Sequence, residues 1–213
     1  MRTIIFDTET TGLKPGNICQ LAYIVDDGSG AATGRNFYFK VDYVEPGAEN
    51  VHGYNTATLD RLSGGLGFGA HAARIGGDFS ACPLWVAHNF SFDYLFLLAE
   101  CKRHGVNINA EKRFCTMRHY APVVKLPQKY PRRGAPPYKN PNLSELVAFI
   151  GITDDEITKF SRDVFAVDDS GINRHDARYD CAATYLCYTR GAASGHGPDW
   201  VLPDTPPPAI ENT

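Results

Sequence analysis

The sequence lacks the features that mark membrane-bound, secreted and disulfide-stabilised proteins. It has no apolar run long enough to span a membrane. Its N-terminal "MRTIIFDTET" has neither the basic flank and long apolar stretch nor the cleavage site of a secretory signal. The six cysteines form no CxxC pair, so we expect them to be reduced, buried and structural, with no zinc site. These absences predict a cytoplasmic protein with no membrane partner.

The residues that are present predict one folded domain with an uneven charge distribution. The chain has 213 residues, of which 43% are apolar and 12% aromatic, and its net charge is -3. A chain of this length buries a core without disulfides or a structural metal. Residues 111–141 carry eight Lys and Arg against one Glu, a local charge of +7 that leaves -10 for the rest. A basic surface beside acidic clusters is typical of polyanion binding assisted by divalent metal.

The N-terminal half predicts strands first and helices later. Residues 3–7, 18–25 and 35–41 are β-branched and apolar, with the turn "DDGSG" after the second, so we expect an antiparallel meander of three strands. Short helices at "TATLDRL" and within "GGLGFGAHAARIGGDFSA" precede a short buried strand at 84–87. The clearest helix spans residues 91–104, because its apolar residues recur at helical spacing and Gly105 follows a basic last turn.

The C-terminal half predicts helices around a proline-rich segment. A short strand at 113–116 leads to a helix at 117–121. The six prolines of "PVVKLPQKYPRRGAPPYKNP" exclude a regular element there, and a helix follows at "NLSELVAFIG". The last long helix runs from about Asp176 to Arg190, and residues 192–213, rich in Pro, Gly and Ala, predict a loose tail. This order of elements favours a mixed sheet covered by helices, an α/β fold.

The first acidic feature is "FDTETTGL", in which Asp7 and Glu9 stand two residues apart at the end of a strand. Side chains with this spacing point to the same face of a sheet, so the two carboxylates repel each other. They are interpreted either as solvated turn residues or as ligands of a cation.

Two further acidic positions have similar contexts. "WVAHNFSFD" leads from a buried strand to Asp93 in the first turn of the clearest helix, where the helix dipole alone also favours a carboxylate. In "RHDARYD", residues 174–180, helical geometry places Asp180 nearer than Asp176 to the inward face. That inward face carries Ala177, Cys181, Thr184 and Tyr188. A carboxylate held near the interior needs a cation or a hydrogen-bond donor.

His175 reaches the side of Asp180 only if the helix begins after it. Continuing the helix back to His175 would put its side chain on the far side from Ala177. We therefore expect His175 in a loop and Asp176 as the N-cap. Taken alone, such a histidine is interpreted as either structural or functional.

Together, "FDTETTGL", "AHNFSFD" and "HDARYD" resemble, in that order, the three exonuclease motifs of the DnaQ-like (DEDDh) 3′–5′ exonucleases, the family of the epsilon proofreading subunit of bacterial DNA polymerase III. The last motif reads HxAxxD in the family and is matched at His175, Ala177 and Asp180. The resemblance spans about residues 3–188. It implies an α/β, RNase H-like fold, with a mixed five-stranded sheet that begins as an antiparallel meander and is flanked by helices. Residues 1–191 would form the exonuclease domain, followed by the tail of residues 192–213.

The resemblance also implies a chemistry. Asp7, Glu9, Asp93 and Asp180 would hold two divalent ions, Mg²⁺ or Mn²⁺, which prefer oxygen ligands. The ions would activate water and stabilise the charge on the attacking and leaving oxygens. His175 would be the general base that takes the proton of that water.

Residues that match the nucleotide contacts of the family are Thr10, Gly12, Leu13, His52, Asn89 and Phe92. Leu13 would wedge against the terminal base. Val51-His52-Gly53 is similar to the "HG" turn of the family, but Tyr54-Asn55 departs from its usual Ile-Thr/Ser, so His52 is also interpretable as an ordinary turn residue.

The basic segment of residues 123–141 has no counterpart that we can match in the family. Its five Lys and Arg side chains suit contacts with the phosphate backbone of a single-stranded nucleic acid. Tyr130 and Tyr138 suit stacking on its bases. The alternative is a solvated, proline-rich flap.

The resemblance thus implies a metal-dependent 3′–5′ exonuclease that releases nucleoside monophosphates from single-stranded or frayed DNA ends, in proofreading or DNA repair. Its partners would be single-stranded 3′ ends, DNA more than RNA, and a polymerase or repair protein. An RNA trimmer of the RNase T or oligoribonuclease kind is the nearest alternative. A non-catalytic nucleic-acid-binding or polymerase-associated subunit is an alternative of another class, against which the presence of all four carboxylates and His175 argues.

Overall fold

A five-stranded mixed sheet forms the centre of the molecule. The computed structural model of the chain describes residues 1–130, 134, 136–167 and 172–196. The strands are β1 (Thr3–Thr10), β2 (Ile18–Asp26), β3 (Ala32–Tyr38), β4 (Leu84–Ala87) and β5 (Lys112–Cys115), in the order β3-β2-β1-β4-β5. β1, β2 and β3 pair antiparallel, whereas β4 pairs parallel with both β1 and β5. The predicted meander and mixed sheet are confirmed.

Eight α-helices cover this sheet within the described residues. They are α1 (Pro46–His52), α2 (Thr56–Ser63), α3 (Ala72–Ser80), α4 (Phe90–Arg103), α5 (Thr116–Val124), α6 (Leu143–Ile150), α7 (Asp154–Phe165) and α8 (Ala177–Gly191). A 3₁₀ turn, Phe68–Ala70, precedes α3, and a π-helical segment, Ala192–His196, follows α8. No helix in this part of the chain combines the length and apolar character needed to cross a membrane.

The sheet separates two apolar cores, and the alternation along β1 assigns its residues to them. Ile4 and Phe6 pack into the core that contains side chains of α3 and α4. Ile5 packs into the opposite core, formed with α5, α6, α7 and α8. Because side chains two apart on a strand share a face, Asp7 and Glu9 lie on the same side of β1 as Ile5. Small residues on α8 let it approach closely, so that the Cys181 thiol donates to the Ile5 carbonyl at 3.1 Å.

Several predicted boundaries differ from the structure. β3 ends at Tyr38 instead of residue 41, since the chain turns and buries Phe39 and Val41 in different clusters. α5 continues to Val124 despite Pro122, because Val123 and Val124 pack against the core beside α8 and outweigh the lost hydrogen bond.

Two helices, α1 and α7, were not predicted from the sequence. Pro46 at the start and Gly53 after the end delimit α1, and a capping box of Thr153 and Glu156 begins α7.

The cysteines and the basic segment agree in part with expectation. All six cysteines are free, and all but the half-buried Cys115 are buried. In the basic segment, Pro127 and Tyr138 form an isolated antiparallel bridge, supported by a hydrogen bond from the Lys139 amide to the Leu126 carbonyl at 3.0 Å. Residues 131–133 and 135 of that segment, and the predicted tail beyond His196, lie outside the described residues.

Candidate active site

Three of the predicted carboxylates meet at the end of β1. Asp7 and Glu9 come from β1, and Asp180 comes from the first turn of α8. One oxygen of each lies within 4.8 Å of the other two. The pairing register of β1 with β2 shifts between Glu9 and Thr10, so the strand bends away just after the cluster.

Asp93 joins this cluster from the opposite face of the sheet. It lies in the first turn of α4 and is 3% exposed. Its Oδ1 accepts hydrogen bonds from the Thr8 amide at 3.1 Å and from the Thr8 hydroxyl at 2.7 Å. Of the neighbouring charges, that of Asp93 has the largest effect on the pKa of Asp7. The structure therefore brings Asp7, Glu9 and Asp180 together and places Asp93 close enough for its charge to act on Asp7, with Thr8 fixing one oxygen of Asp93.

These carboxyl groups have little to compensate their negative charge. Burial, followed by repulsion from neighbouring carboxylates, raises the pKa of Asp7 well above its usual range and that of Glu9 to about 9. Burial also raises the pKa of Asp93 and of Asp180 to about 7, although donors from Thr8 and from the His175 backbone partly oppose this effect. No lysine or arginine in the described ranges forms an ion pair with any of the four. A cluster of hard oxygen donors without a protein cation fits a divalent metal ion that prefers oxygen ligands.

His175 lies in the loop before α8, as the sequence predicts. α8 begins at Ala177, and the side chain of the N-cap Asp176 accepts from the Arg178 amide. His175 has a φ of 67°, in the left-handed region that few non-glycine residues adopt. Its exposed side chain and Asp180 line the same cavity, of about 300 Å³.

Asp176 does more than cap α8, and this role was not predicted. It is 5% exposed and forms an ion pair with the buried Arg178, at 2.6 Å between Oδ2 and Nη2. Gln20 on β2 donates to its Oδ1 at 3.0 Å, and the Tyr54 hydroxyl donates to its Oδ2 at 3.2 Å. Gln20 also accepts from the Ala177 amide at 3.1 Å, so this network fixes the start of α8 beside His175. Gln20, a polar residue between apolar neighbours in β2, was the signal of this network in the sequence.

The predicted nucleotide contacts on the loop after β1 differ in exposure. Leu13 is 83% exposed, whereas Thr10 is buried and donates from its hydroxyl to the Gly12 carbonyl at 2.8 Å. A side chain at Gly12 would collide with the carboxylate of Glu45. The loop is therefore compact at Gly12 and presents Leu13 to solvent.

The remaining predicted contacts lie on α1 and α4. His52 ends α1 and is buried, with Nδ1 accepting from the Tyr54 amide at 3.0 Å and Nε2 lying 3.3 Å from the Thr10 carbonyl. The exposed Asn89 precedes α4 with a φ of 62°, and the half-buried Phe92 packs on Phe96 at 4.9 Å between ring centroids. His52 thus contacts the loop after β1 through Thr10 and is itself buried, whereas Asn89 faces solvent.

The family comparison assigns the class of this site. The model of the exonuclease family RNase_T matches residues 4–188, which include all three motifs and all four carboxylates. The chain belongs to the RNase_T exonuclease family. This membership confirms the family expected from the three motifs. A search of curated proteins found no match.

Solved structures of exonuclease I share the fold of this family member. The structure of E. coli exonuclease I in complex with a 5cy-dA13 oligonucleotide superposes with a TM-score of 0.63 at 21% identity, covering 90% of this chain and 40% of that one. The complex of the same enzyme with a dT13 oligonucleotide gives 0.63 at 22% identity, with coverages of 91% and 42%. The chain thus spans about two fifths of the exonuclease I chains that it matches. The predicted RNase H-like fold is confirmed.

Proposed function

We propose that this protein is a metal-dependent 3′–5′ exonuclease that hydrolyses single-stranded or frayed DNA ends to nucleoside monophosphates. The observation that carries the proposal is the cluster of Asp7, Glu9 and Asp180 with Asp93 beside it, all buried or half-buried, with no protein cation paired to them in the described part of the chain. Membership of the exonuclease family supports the reaction class. DNA is favoured over RNA because the similar exonuclease I structures hold oligodeoxynucleotides.

Each site residue has a proposed role. Asp7, Glu9, Asp93 and Asp180 would hold two divalent ions, which when bound activate water and stabilise the charge of the reacting phosphate. Thr8 keeps one oxygen of Asp93 oriented. His175, exposed beside Asp180, would accept the proton of the attacking water as general base. In this role His175 would accept a proton without binding a metal ion itself.

The terminal nucleotide would bind against the loop after β1 and the start of α4. Leu13 and Asn89 offer exposed side chains to it, Phe92 is half-buried, and Thr10, Gly12 and His52 shape the loop that carries Leu13. Residues 1–191 would form the exonuclease domain of a cytoplasmic protein that works in proofreading or DNA repair, with a polymerase or repair protein as partner.

Digestion of end-labelled oligonucleotides tests this function. With Mg²⁺ or Mn²⁺, 3′-labelled single-stranded DNA should release labelled mononucleotide from the earliest times, while 5′-labelled DNA should shorten stepwise; EDTA should stop both. Faster digestion of a matched RNA would replace the DNA assignment with RNA trimming. Internal fragments, or binding without hydrolysis in either metal, would refute the proposal.

A further inference from the structure

The cavity beside His175 is separate from the proposed contacts to the terminal nucleotide. Its volume is about 300 Å³, and its walls come from α6, the loop before α8 and α8 itself. The residues that line it, besides His175 and Asp180, are Asn142, Leu143, Ser144, Val147, Arg174, Tyr179 and Ala183. None of the six proposed nucleotide contacts is among them.

The cavity adjoins the carboxylate cluster. Asp180 belongs to the cluster and also forms part of the cavity wall, beside His175. A 3′-exonuclease cuts between the last nucleoside and the one before it. If the terminal nucleotide binds against the loop after β1 and the start of α4, the nucleotide before it needs another space beside the carboxylates, and this cavity is such a space.

The chemistry of the cavity suits a nucleotide. Leu143, Val147 and Ala183 provide apolar surface, of which Val147 and Ala183 are buried. Asn142, Ser144 and Arg174 provide polar groups at the exposed edge. A volume of about 300 Å³ is at the lower end of the range of ligand pockets, enough for one nucleoside.

Arg174 is placed to meet a phosphate at this edge. Its Nη1 donates to the Ser144 hydroxyl at 3.0 Å, and its Nη2 pairs with Asp154 at 3.1 Å, which hold the guanidinium in position. The Arg174 side chain is still 52% exposed. A guanidinium that is held in place and still half exposed can contact a phosphate that approaches from solvent.

We infer that this cavity binds the nucleotide on the 5′ side of the scissile phosphate, with its base or sugar on the apolar surface and a backbone phosphate on Arg174. This inference rests on the proposed function and adds a second nucleotide subsite to it. The alternative role for Arg174 is a surface ion pair with Asp154 that only stabilises the fold.

Two substrates separate these roles. The p-nitrophenyl ester of thymidine 5′-monophosphate presents the terminal nucleotide but has nitrophenol in place of the upstream nucleoside, whereas a short oligothymidylate presents both. Arg174→Gln removes the proposed phosphate contact. Ser144→Tyr fills the mouth of the cavity from an exposed helical position without changing charge. Lys159→Gln, on the exposed side of α7, is the matched control for loss of one positive charge.

In both test variants, kcat/KM for the oligonucleotide should fall at least about tenfold more than kcat/KM for the ester, mainly through KM, as expected for loss of a charge-assisted contact. The control should leave both values unchanged. If the wild-type protein cleaves both substrates and each test variant lowers the two values equally, the cavity assignment is overturned while the exonuclease function stands. A wild-type protein that cleaves neither substrate overturns both.

Discussion

At the scale of single residues, the hydroxyl of Thr8 is the contact that orients Asp93. It donates to Asp93 Oδ1 at 2.7 Å in a buried setting. Thr8→Val keeps the shape of the side chain and removes this donor, so we expect turnover to fall by about 10–100-fold, the range found when partners of metal ligands are removed. Steady-state kinetics with saturating Mg²⁺ measure the effect.

Thr184→Val is the matched control for this change. Thr184 is also buried, but its hydroxyl has no hydrogen-bond partner within the described structure. Its replacement should leave turnover unchanged and should not lower stability. Equal losses of turnover in Thr8→Val and Thr184→Val would show that the Thr8 hydroxyl does not orient Asp93 for catalysis.

His175 is expected to accept a proton from water without binding the metal, so its replacement should affect the two properties differently. His175→Ala should cut kcat by at least about 100-fold, the usual contribution of a positioned general base. Divalent metal affinity, measured by calorimetry, should be largely kept, because the four carboxylates remain in place. Loss of metal binding in this variant would mean that the imidazole is a ligand and that its role as base is wrong.

At the scale of elements, the start of α8 depends on Asp176. Burial alone would raise the pKa of Asp176, but the hydrogen bonds and charge of Arg178 hold it below its ordinary value of 3.8. Asp176→Ala would leave the buried Arg178 without its ion-pair partner and should lower the free energy of unfolding by about 3–5 kcal/mol. Urea unfolding with EDTA present measures this loss.

Asp154→Ala is a suitable comparison for Asp176. Asp154 also pairs with an arginine, Arg174, but both side chains are more than half exposed. Exposed pairs contribute about 0–1 kcal/mol, so this variant should change stability much less. If Asp176→Ala and Asp154→Ala lower the free energy of unfolding equally, the network around Asp176 does not determine the stability of α8.

The elements that the sequence predicts are those whose signals are local. The strands of the meander, α4 and α8 follow from periodicity and end signals. Helical geometry also identifies Asp180 as the carboxylate of α8 that joins the cluster, but it does not predict that Asp176 is the more buried of the two. The network of Asp176 was not predictable in this way, since Gln20 and Tyr54 lie more than 100 positions away along the chain. The extension of α5 past Pro122 likewise depends on tertiary packing against the core beside α8, which no local rule contains.

At the scale of the whole molecule, the carboxylate cluster links stability to pH and metal. In the unfolded chain Asp and Glu lose their protons near 3.8 and 4.5, whereas in the folded protein Asp93 and Asp180 hold them to about 7 and Glu9 to about 9. Groups with a raised pKa contribute stability below the unfolded pKa, and that contribution is lost as pH rises through the folded pKa. The metal-free protein should therefore lose stability between about pH 4 and pH 9, by on the order of several kcal/mol.

Divalent metal should reverse this trend. Mg²⁺ or Mn²⁺ binds the deprotonated carboxylates of the folded state, so its stabilising effect should grow as pH rises. Unfolding midpoints measured with EDTA and with Mn²⁺ across this pH range give both curves. Curves that run parallel would show that these carboxylates do not bind the ion.

The four carboxylates are central to the proposed function, because they would form the metal site for hydrolysis at DNA 3′ ends. Asp7 belongs to the cluster of three carboxylates at the end of β1, and Asp7→Asn removes a ligand while keeping the side-chain volume. Because burial and neighbouring carboxylates raise the pKa of Asp7 and so disfavour its charged form, a neutral amide should keep or stabilise the metal-free fold.

The most direct test is the rate of mononucleotide release from 3′-labelled single-stranded DNA by the wild-type protein and Asp7→Asn at equal Mn²⁺. Removing a hydrogen-bond partner of a metal ligand typically lowers activity by about 10–100-fold. We therefore expect removal of the ligand itself to lower the rate of mononucleotide release by more than about 100-fold. The variant should also lose the stabilisation by Mn²⁺ that the wild-type protein shows. An Asp7→Asn protein that releases mononucleotides at the wild-type rate would contradict the account.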